Sequence, residues 1–321
     1  MKILFHIGLP KAASSSLQVG LSACSDIVFL GLYPTQNVAE GLNTSSGPQR
    51  KIPYLNDPRL KEFYLAFGLK DYSARAQYNL YTAICSDYAD ADKTLFFSYE
   101  GVTSPMFSEV TPQVKLQRLV ECCGDAEFLF ITRNQGDVIK SQYRDWPFDL
   151  TIEGGKGLNL NEWCLNELQR TDGMGPLIWF DFQRLLEPLL SNVLLGRLHV
   201  LLFENFISER AQFCEDLSGL LGVNTDVVQS CLDGVRANRG VSARYNAYRK
   251  LRRIMPMSFS IRSLLPQWLL SAMFRFLNRG GSEQLDFNSK LKKQLNEYFT
   301  ASNRSVGEHF KLSLGEKGYW V

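Results

Sequence analysis

Three places along the chain carry residues whose types could do chemistry: two suit a small anion and the third offers a carboxylate. The first is Pro10-Lys11-Ala12-Ala13-Ser14-Ser15-Ser16-Leu17-Gln18, directly after the apolar run that ends at Gly8. A strand running into a Gly-Leu-Pro turn, then a lysine and three serines that open a helix, suits a phosphate. It offers backbone N–H groups and a favoured cap at the helix start, hydroxyl donors and a mobile positive charge. It is not the triphosphate loop G-x-x-x-x-G-K-[ST], in which the lysine stands directly before the Ser/Thr; here Lys11 precedes Ser14 by three. The second place is Glu127–Thr132, an apolar run ending in Arg133, with Ser141 eight residues on. An arginine at the carboxyl end of a buried strand lies where open α/β sheets bind ligands, and Ser141 lies two helical turns further along. The third is Leu95-Phe96-Phe97-Ser98-Tyr99-Glu100, which runs into a carboxylate just before the loop Gly101–Pro105. Glu100 is the candidate general base, with a merely solvated strand-end carboxylate as the other reading. His6 is its rival, but a histidine inside a first strand reads as a core residue.

The elements that must hold these residues follow from the pattern. Lys2–Ile7, Ile27–Leu30, Thr94–Ser98, Glu127–Thr132 and Leu198–Phe203 are short and apolar on both faces, which predicts a buried parallel sheet. Helical patterns lie between them at Ser14–Ala23, Asp71–Tyr88, Thr111–Cys123, Gln135–Arg144, Leu160–Arg170 and Glu209–Leu221. Alternation in this order predicts right-handed crossovers and an α/β fold, a P-loop-like parallel sheet flanked by helices. Residues 1–240 read as this core. Residues 241–321 contain no further strand pattern and read as a C-terminal helical cap packed on it. Asn37–Pro58 and Pro147–Gly157 are polar insertions of the kind that form functional loops.

Composition narrows the class. With 45% hydrophobic residues, the chain is neither fibrous nor disordered. The 35 Lys and Arg against 33 Asp and Glu leave a net charge of +2, so the whole molecule is no generic polyanion binder, and no nucleic-acid partner is expected. Seven cysteines without a C-x-x-C pair and three histidines suggest free thiols and no metal site. The opening apolar run is too short for a signal peptide, and no stretch reaches the length of a membrane span, so a cytoplasmic location is expected.

Two of these segments resemble known motifs. Pro10-Lys11-Ala12-Ala13-Ser14-Ser15-Ser16-Leu17 is similar to the 5′-phosphosulfate loop of the sulfotransferase family, roughly P-K-x-G-[ST]-[ST]-[ST]-L. Arg133-Asn134-x-x-Asp137-x-x-x-Ser141-x-Tyr143 resembles that family's 3′-phosphate motif, R-N-P-x-D-x-x-x-S-x-[YF]. The resemblance covers most of residues 1–240, and the ending Gly318-Tyr319-Trp320 is similar to the tails of bacterial members. Two positions depart from the pattern. Ala13 stands for the loop glycine, so the backbone there must accept a Cβ; Gln135-Gly136 stands where the proline falls, which touches rigidity more than chemistry.

The resemblance implies 3′-phosphoadenosine 5′-phosphosulfate as cosubstrate and sulfuryl transfer to a hydroxyl or amine of a glycan, glycolipid or small molecule. It implies Lys11 at the leaving oxygen and Ser14, Ser15 and Ser16 on the 5′-phosphate, with Pro10, Ala12 and Ala13 completing that loop. Arg133 and Ser141 would then read the 3′-phosphate, and Glu100 resembles the proposed base of Golgi-type and many bacterial members. Arg239 and Gly240, in the basic loop Arg236–Ser242, match a segment that closes over the nucleotide; otherwise they form an exposed turn. The rivals are a P-loop kinase using ATP, disfavoured by the lysine spacing and a missing acidic metal ligand, and a nucleotide-binding protein without turnover.

One block stands outside this chemistry. From Gly234 to Ser282 there are ten Arg or Lys and no Asp or Glu, and within it Leu264–Leu277 is apolar at helical spacing and carries Trp268. A basic flank beside such a helix is the pattern of peripheral contact with an anionic membrane, against the plainer reading of a helix packed on the core.

Overall fold

The protein is described by a computed structural model over residues 1–31, 57–104, 108–145, 158–194, 196–235, 242–245, 247–248, 266–277, 279–281 and 284–321. The five apolar runs form one parallel sheet. Its strands are β1 (Ile3–His6), β2 (Ile27–Gly31), β3 (Thr94–Ser98), β4 (Glu127–Thr132) and β5 (Leu198–Leu202), in the order β2-β3-β1-β4-β5. β1 is central, with Ile3 opposite Leu95 on one side and Leu4 opposite Glu127 on the other. Helices cover the sheet, which is why its strands carry apolar residues on successive positions rather than alternating ones. Phe5 and Phe97 stack across the β1–β3 pair with ring centroids 4.5 Å apart.

The helices in chain order are α1 (Ser14–Ser22), α2 (Leu60–Ala66), α3 (Ala74–Asp87), α4 (Pro112–Cys123), α5 (Gln135–Asp145), α6 (Leu160–Leu168) and α7 (Pro176–Trp179). They continue with α8 (Phe182–Asn192), α9 (Phe203–Ser208), α10 (Arg210–Leu221), α11 (Thr225–Leu232), α12 (Gln267–Leu277) and α13 (Ser289–Phe310). The chain passes from β5 straight into α9, so the strand expected through Phe203 ends one residue earlier. Helix α8 contains Pro188, which removes one backbone donor, yet it persists because Leu185, Leu186 and Leu189 bury one face.

Beyond β5 the described elements are helical. Helix α13 sends Leu291, Leu295, Phe299 and Val306 into the same core as the sheet and lies against α8 and α6. Helix α12 rests instead on residues 242–245 and 247–248, where Phe274 meets Tyr245 and Tyr248, and its buried Leu270 stands apart from the main core cluster. All seven cysteines are free thiols, six of them buried and Cys231 half-buried. Among the described residues no helix is long and apolar enough to cross a membrane, and no group of three or more His, Cys, Asp or Glu is placed to hold a metal ion. The insertions at 37–56 and 147–157 lie outside the described residues.

Strand order turns back at β1: the chain moves to one side for β2 and β3, then crosses to the other for β4 and β5. The carboxyl ends of β1, β3 and β4 therefore meet at a topological switch point, where open α/β sheets bind their ligands.

Candidate active site

After β1 the chain stays paired to β4, with Ile7 N–H donating to Leu129 O (2.9 Å) and Leu9 N–H to Ile131 O (3.1 Å). The turn toward α1 starts at Pro10. Two residues in it have left-handed backbones, Lys11 at φ 70° and Ala13 at φ 63°. A Cβ in this region is strained, so the loop keeps a glycine-like conformation at Ala13 in spite of the substitution. Ala13 is also the N-cap of α1 and makes no side-chain cap bond. No serine caps the helix, contrary to the expectation that one would; the three serines form its first turn. A helix start of this kind, with the lysine just before it, is suited to an anion.

The serines differ in what they face. Ser14 is 2% exposed, its Oγ lies 3.2 Å from Leu9 O, and it also pairs with the Glu100 carboxylate. Its hydroxyl is thus engaged within the protein. Ser15 and Ser16 are half-buried, as are Pro10 and Lys11, while Ala12 is fully buried.

Glu100 opens a short 3-10 turn at the end of β3. Desolvation pushes its carboxyl above the usual carboxylate range, and the Lys11 charge and the Ser14 hydroxyl oppose that rise. The turn is tied on two sides. Thr103, fully buried, has Oγ1 3.0 Å from Gly8 O and 2.9 Å from Glu100 O. Lys115, 3% exposed on α4, donates from Nζ to Gly101 O at 2.5 Å and to Ser104 O. Burial holds its ammonium down to a pKa of about 7.

His6 is the core residue its setting suggested. It is fully buried, its Nδ1 lies 2.8 Å from Ser98 Oγ, and Ser98 accepts a further bond from Gln18 Nε2 at 3.2 Å. Burial lowers its pKa to about 4. An added Cβ on Gly8 would stand 2.6 Å from His6 Nε2, so only glycine lets the strand turn back over this ring.

Arg133 leaves the end of β4 and crosses to the loop after β1, where Nη1 donates to Lys11 O at 2.8 Å. Its guanidinium lies 4.5 Å from the centre of the Phe203 ring at the start of α9, and Nε is buried with no hydrogen-bond partner among the described residues. Two segments 122 residues apart thus form one unit. Ser141 is half-buried on α5, eight residues further on. Arg239 and Gly240 lie outside the described residues.

The partners that hold this unit, Glu204 and Asn303 above all, carry no signal in the sequence. Asn134 N–H donates to Glu204 Oε1 (2.8 Å), Tyr319 O–H donates to Glu204 Oε2 (2.8 Å), and Asn134 Nδ2 donates to Gly318 O. Gln135, fully buried, exchanges bonds with Asn303 of α13, which in turn donates to Trp320 O (2.7 Å). Trp320 stacks on Phe299 at 5.6 Å. The chain's last residues are therefore folded back onto the arginine loop, and the Gln135–Asn303 pair anchors the position where the resembling motif has proline.

No family model matches the sequence, and no curated protein does. Among solved structures, a sulfotransferase from Alicyclobacillus acidocaldarius aligns over 99% of this chain and 98% of its own with a TM-score of 0.52 and 16% identity. Two others align more loosely: the sulfotransferase domain from the curacin biosynthetic pathway (TM-score 0.40, 18% identity, 70% of this chain and 74% of its own) and mouse sulfotransferase SULT7A1 complexed with PAP (0.41, 14%, 97% and 88%). The likeness to the Alicyclobacillus structure spans both chains end to end and is one of fold: a helix-flanked parallel sheet of the sulfotransferase type.

Proposed function

We propose that the protein is a sulfotransferase that moves the sulfuryl group of 3′-phosphoadenosine 5′-phosphosulfate onto an acceptor hydroxyl, or amine, by in-line displacement. The observation that carries this reading is the bond from Arg133 Nη1 to Lys11 O, which joins a second cation-bearing strand end to the anion loop. A nucleotide phosphorylated at both the 5′ and 3′ positions is the ligand such a pair fits. Among the described residues the buried Nε of Arg133 meets no acceptor, which suits it to a 3′-phosphate.

In this reading the first turn of α1 and the hydroxyls of Ser15 and Ser16 hold the 5′-phosphate, while Lys11 neutralises the charge that develops on the leaving oxygen. Ser14 acts differently from its neighbours, orienting Glu100 rather than gripping phosphate. Glu100 takes the acceptor's proton. Its raised pKa brings it closer to the strength a base needs, while Lys11 and Ser14 act against that rise and favour the carboxylate form. Sulfuryl transfer, like phosphoryl transfer, depends on positioning and charge stabilisation, both of which these residues supply. Ser141 and the Arg239-Gly240 loop are further candidate contacts to the 3′ side.

The test is transfer itself. Protein, the phosphosulfate with isotopic sulfur, and glycan, lipid or small-molecule extracts should yield labelled product, and Lys11→Ala should lower kcat on the order of 10²–10³. Label transfer that survives Lys11→Ala at full rate, or phosphate transfer from ATP in place of sulfuryl transfer, would contradict the reading.

A further inference from the structure

Helix α12 has two unlike sides. One is folded against residues 242–245 and 247–248: Leu270 is 8% exposed, Phe274 lies 6.3 Å from Tyr245 and 6.2 Å from Tyr248, and Ser242 donates to Leu277 O at the helix end. The other side carries Trp268, Ala272, Arg275 and Phe276 and continues to Arg279, all exposed. Spacings of four, three or four, and three put these residues on one stripe along the helix. Trp268 is 69% exposed and Phe276 58%, and Arg244, also exposed, holds its guanidinium 4.7 Å from the Phe276 ring centre.

We infer that this stripe docks the protein on an anionic lipid surface, with α12 lying in the interface plane. Single exposed aromatics are ordinary; two on one helix face, interleaved with arginines, match a helix that seats rings among acyl chains and keeps its charges at the headgroups. At 11 residues, and about 1.5 Å per residue, α12 is far too short to span a bilayer. Charge selects the partner. The chain as a whole is near neutral at +2, yet the described residues of this patch, 242–245, 247–248, 266–277 and 279–281, carry Arg244, Arg275 and Arg279 and no Asp or Glu. The same pattern opposes a second copy of this chain as the occupant, since pairing the stripe with itself would set like charges face to face. This inference is independent of the proposed reaction, although a surface-bound enzyme would meet lipid-linked acceptors.

The test is co-sedimentation of the full chain with phosphatidylserine-containing and with pure phosphatidylcholine vesicles, at low and at physiological salt, with no nucleotide present. The protein should pellet with the anionic vesicles, less so as salt rises because exposed charges are screened, and not with the neutral ones. Arg275→Glu with Arg279→Glu should weaken binding by more than about fivefold per position. Trp268→Ser with Phe276→Ser should weaken it on the order of tenfold. Both pairs are exposed and outside the main core, so thermal unfolding should be unchanged, which separates lost docking from lost fold. Absence of pelleting with anionic vesicles at low salt would overturn the inference. So would equal pelleting with neutral vesicles, or a concentration-dependent dimer abolished by the Trp268→Ser pair. None of these outcomes bears on sulfuryl transfer, which is read with soluble acceptors.

Discussion

Ala13 and Glu100 are the two residues where the site most openly departs from ordinary chemistry. Ala13 sits at φ 63° with a Cβ that strains this conformation by about 1–2 kcal/mol. Ala13→Gly should remove that strain while widening the unfolded ensemble by about 0.4–1 kcal/mol. The net expectation is a protein as stable as the parent or more stable by up to about 1 kcal/mol, read from urea midpoints. A clear loss of stability would show that the loop does not need its left-handed backbone. Glu100 has its pKa raised by desolvation, so its basic form is lost as pH falls through a value above the ordinary glutamate 4.3 or so. The acid limb of kcat should lie above that value and vanish in Glu100→Gln, with kcat lowered about 10²–10⁴ and bisphosphate affinity kept. An unchanged limb in the variant would move the base elsewhere. The placement of Lys11, Arg133 and Glu100 was legible, because each follows an apolar strand and must emerge at its carboxyl end. The inward turn of Ser14 was not, because its hydroxyl direction depends on a carboxylate 86 positions away.

The arginine loop is held by elements that sequence spacing cannot bring together. Glu204, at the start of α9, accepts from Asn134 N–H and Tyr319 O–H at once, joining β4, α9 and the C-terminal tail. These bonds tie the tail to the residue next to Arg133, and in the proposed reading the tail positions that arginine. Tyr319→Phe removes the hydroxyl and leaves one carboxylate oxygen unmatched, an effect of about 1–3 kcal/mol. Affinity for the 3′,5′-bisphosphate should fall by about 5- to 100-fold, while affinity for 5′-AMP stays near the parent value. Equal losses for both nucleotides would mark a merely structural role. The ending Gly318-Tyr319-Trp320 is legible only as a resemblance; nothing in its composition says that it reaches Asn134. The same holds for α8, whose Pro188 argues locally against a helix and is overridden by three buried leucines.

At the scale of the whole molecule, the five parallel strands were legible from continuous apolar runs, whereas their order was not. Order depends on which side of the sheet each crossover helix packs, and that is decided by surfaces, not by periodicity. Central placement of β1 also explains His6. Its folded pKa of about 4 lies below the 6.5 of an exposed histidine, so the unfolded chain binds the proton first. Stability is therefore lost as pH falls from 6.5 toward 4, in total by about 3 kcal/mol. Glu100 contributes with the opposite sign, its raised pKa favouring the fold as it protonates. Urea midpoints at pH 7 and pH 5, compared between parent and His6→Gln, isolate the histidine contribution; an equal acid loss in both would contradict it.

The central claim is that two strand ends form one site for a nucleotide carrying phosphates at both ends of its ribose. Calorimetric titration of the protein and of Arg133→Ala with the 3′,5′-bisphosphate and with AMP tests it most directly. A charge-assisted bond of about 1.5–3 kcal/mol predicts that the parent prefers the bisphosphate by roughly 10- to 150-fold. In Arg133→Ala that preference should collapse toward unity. Equal affinity of the parent for the two nucleotides, or a preference that survives Arg133→Ala, would contradict the account.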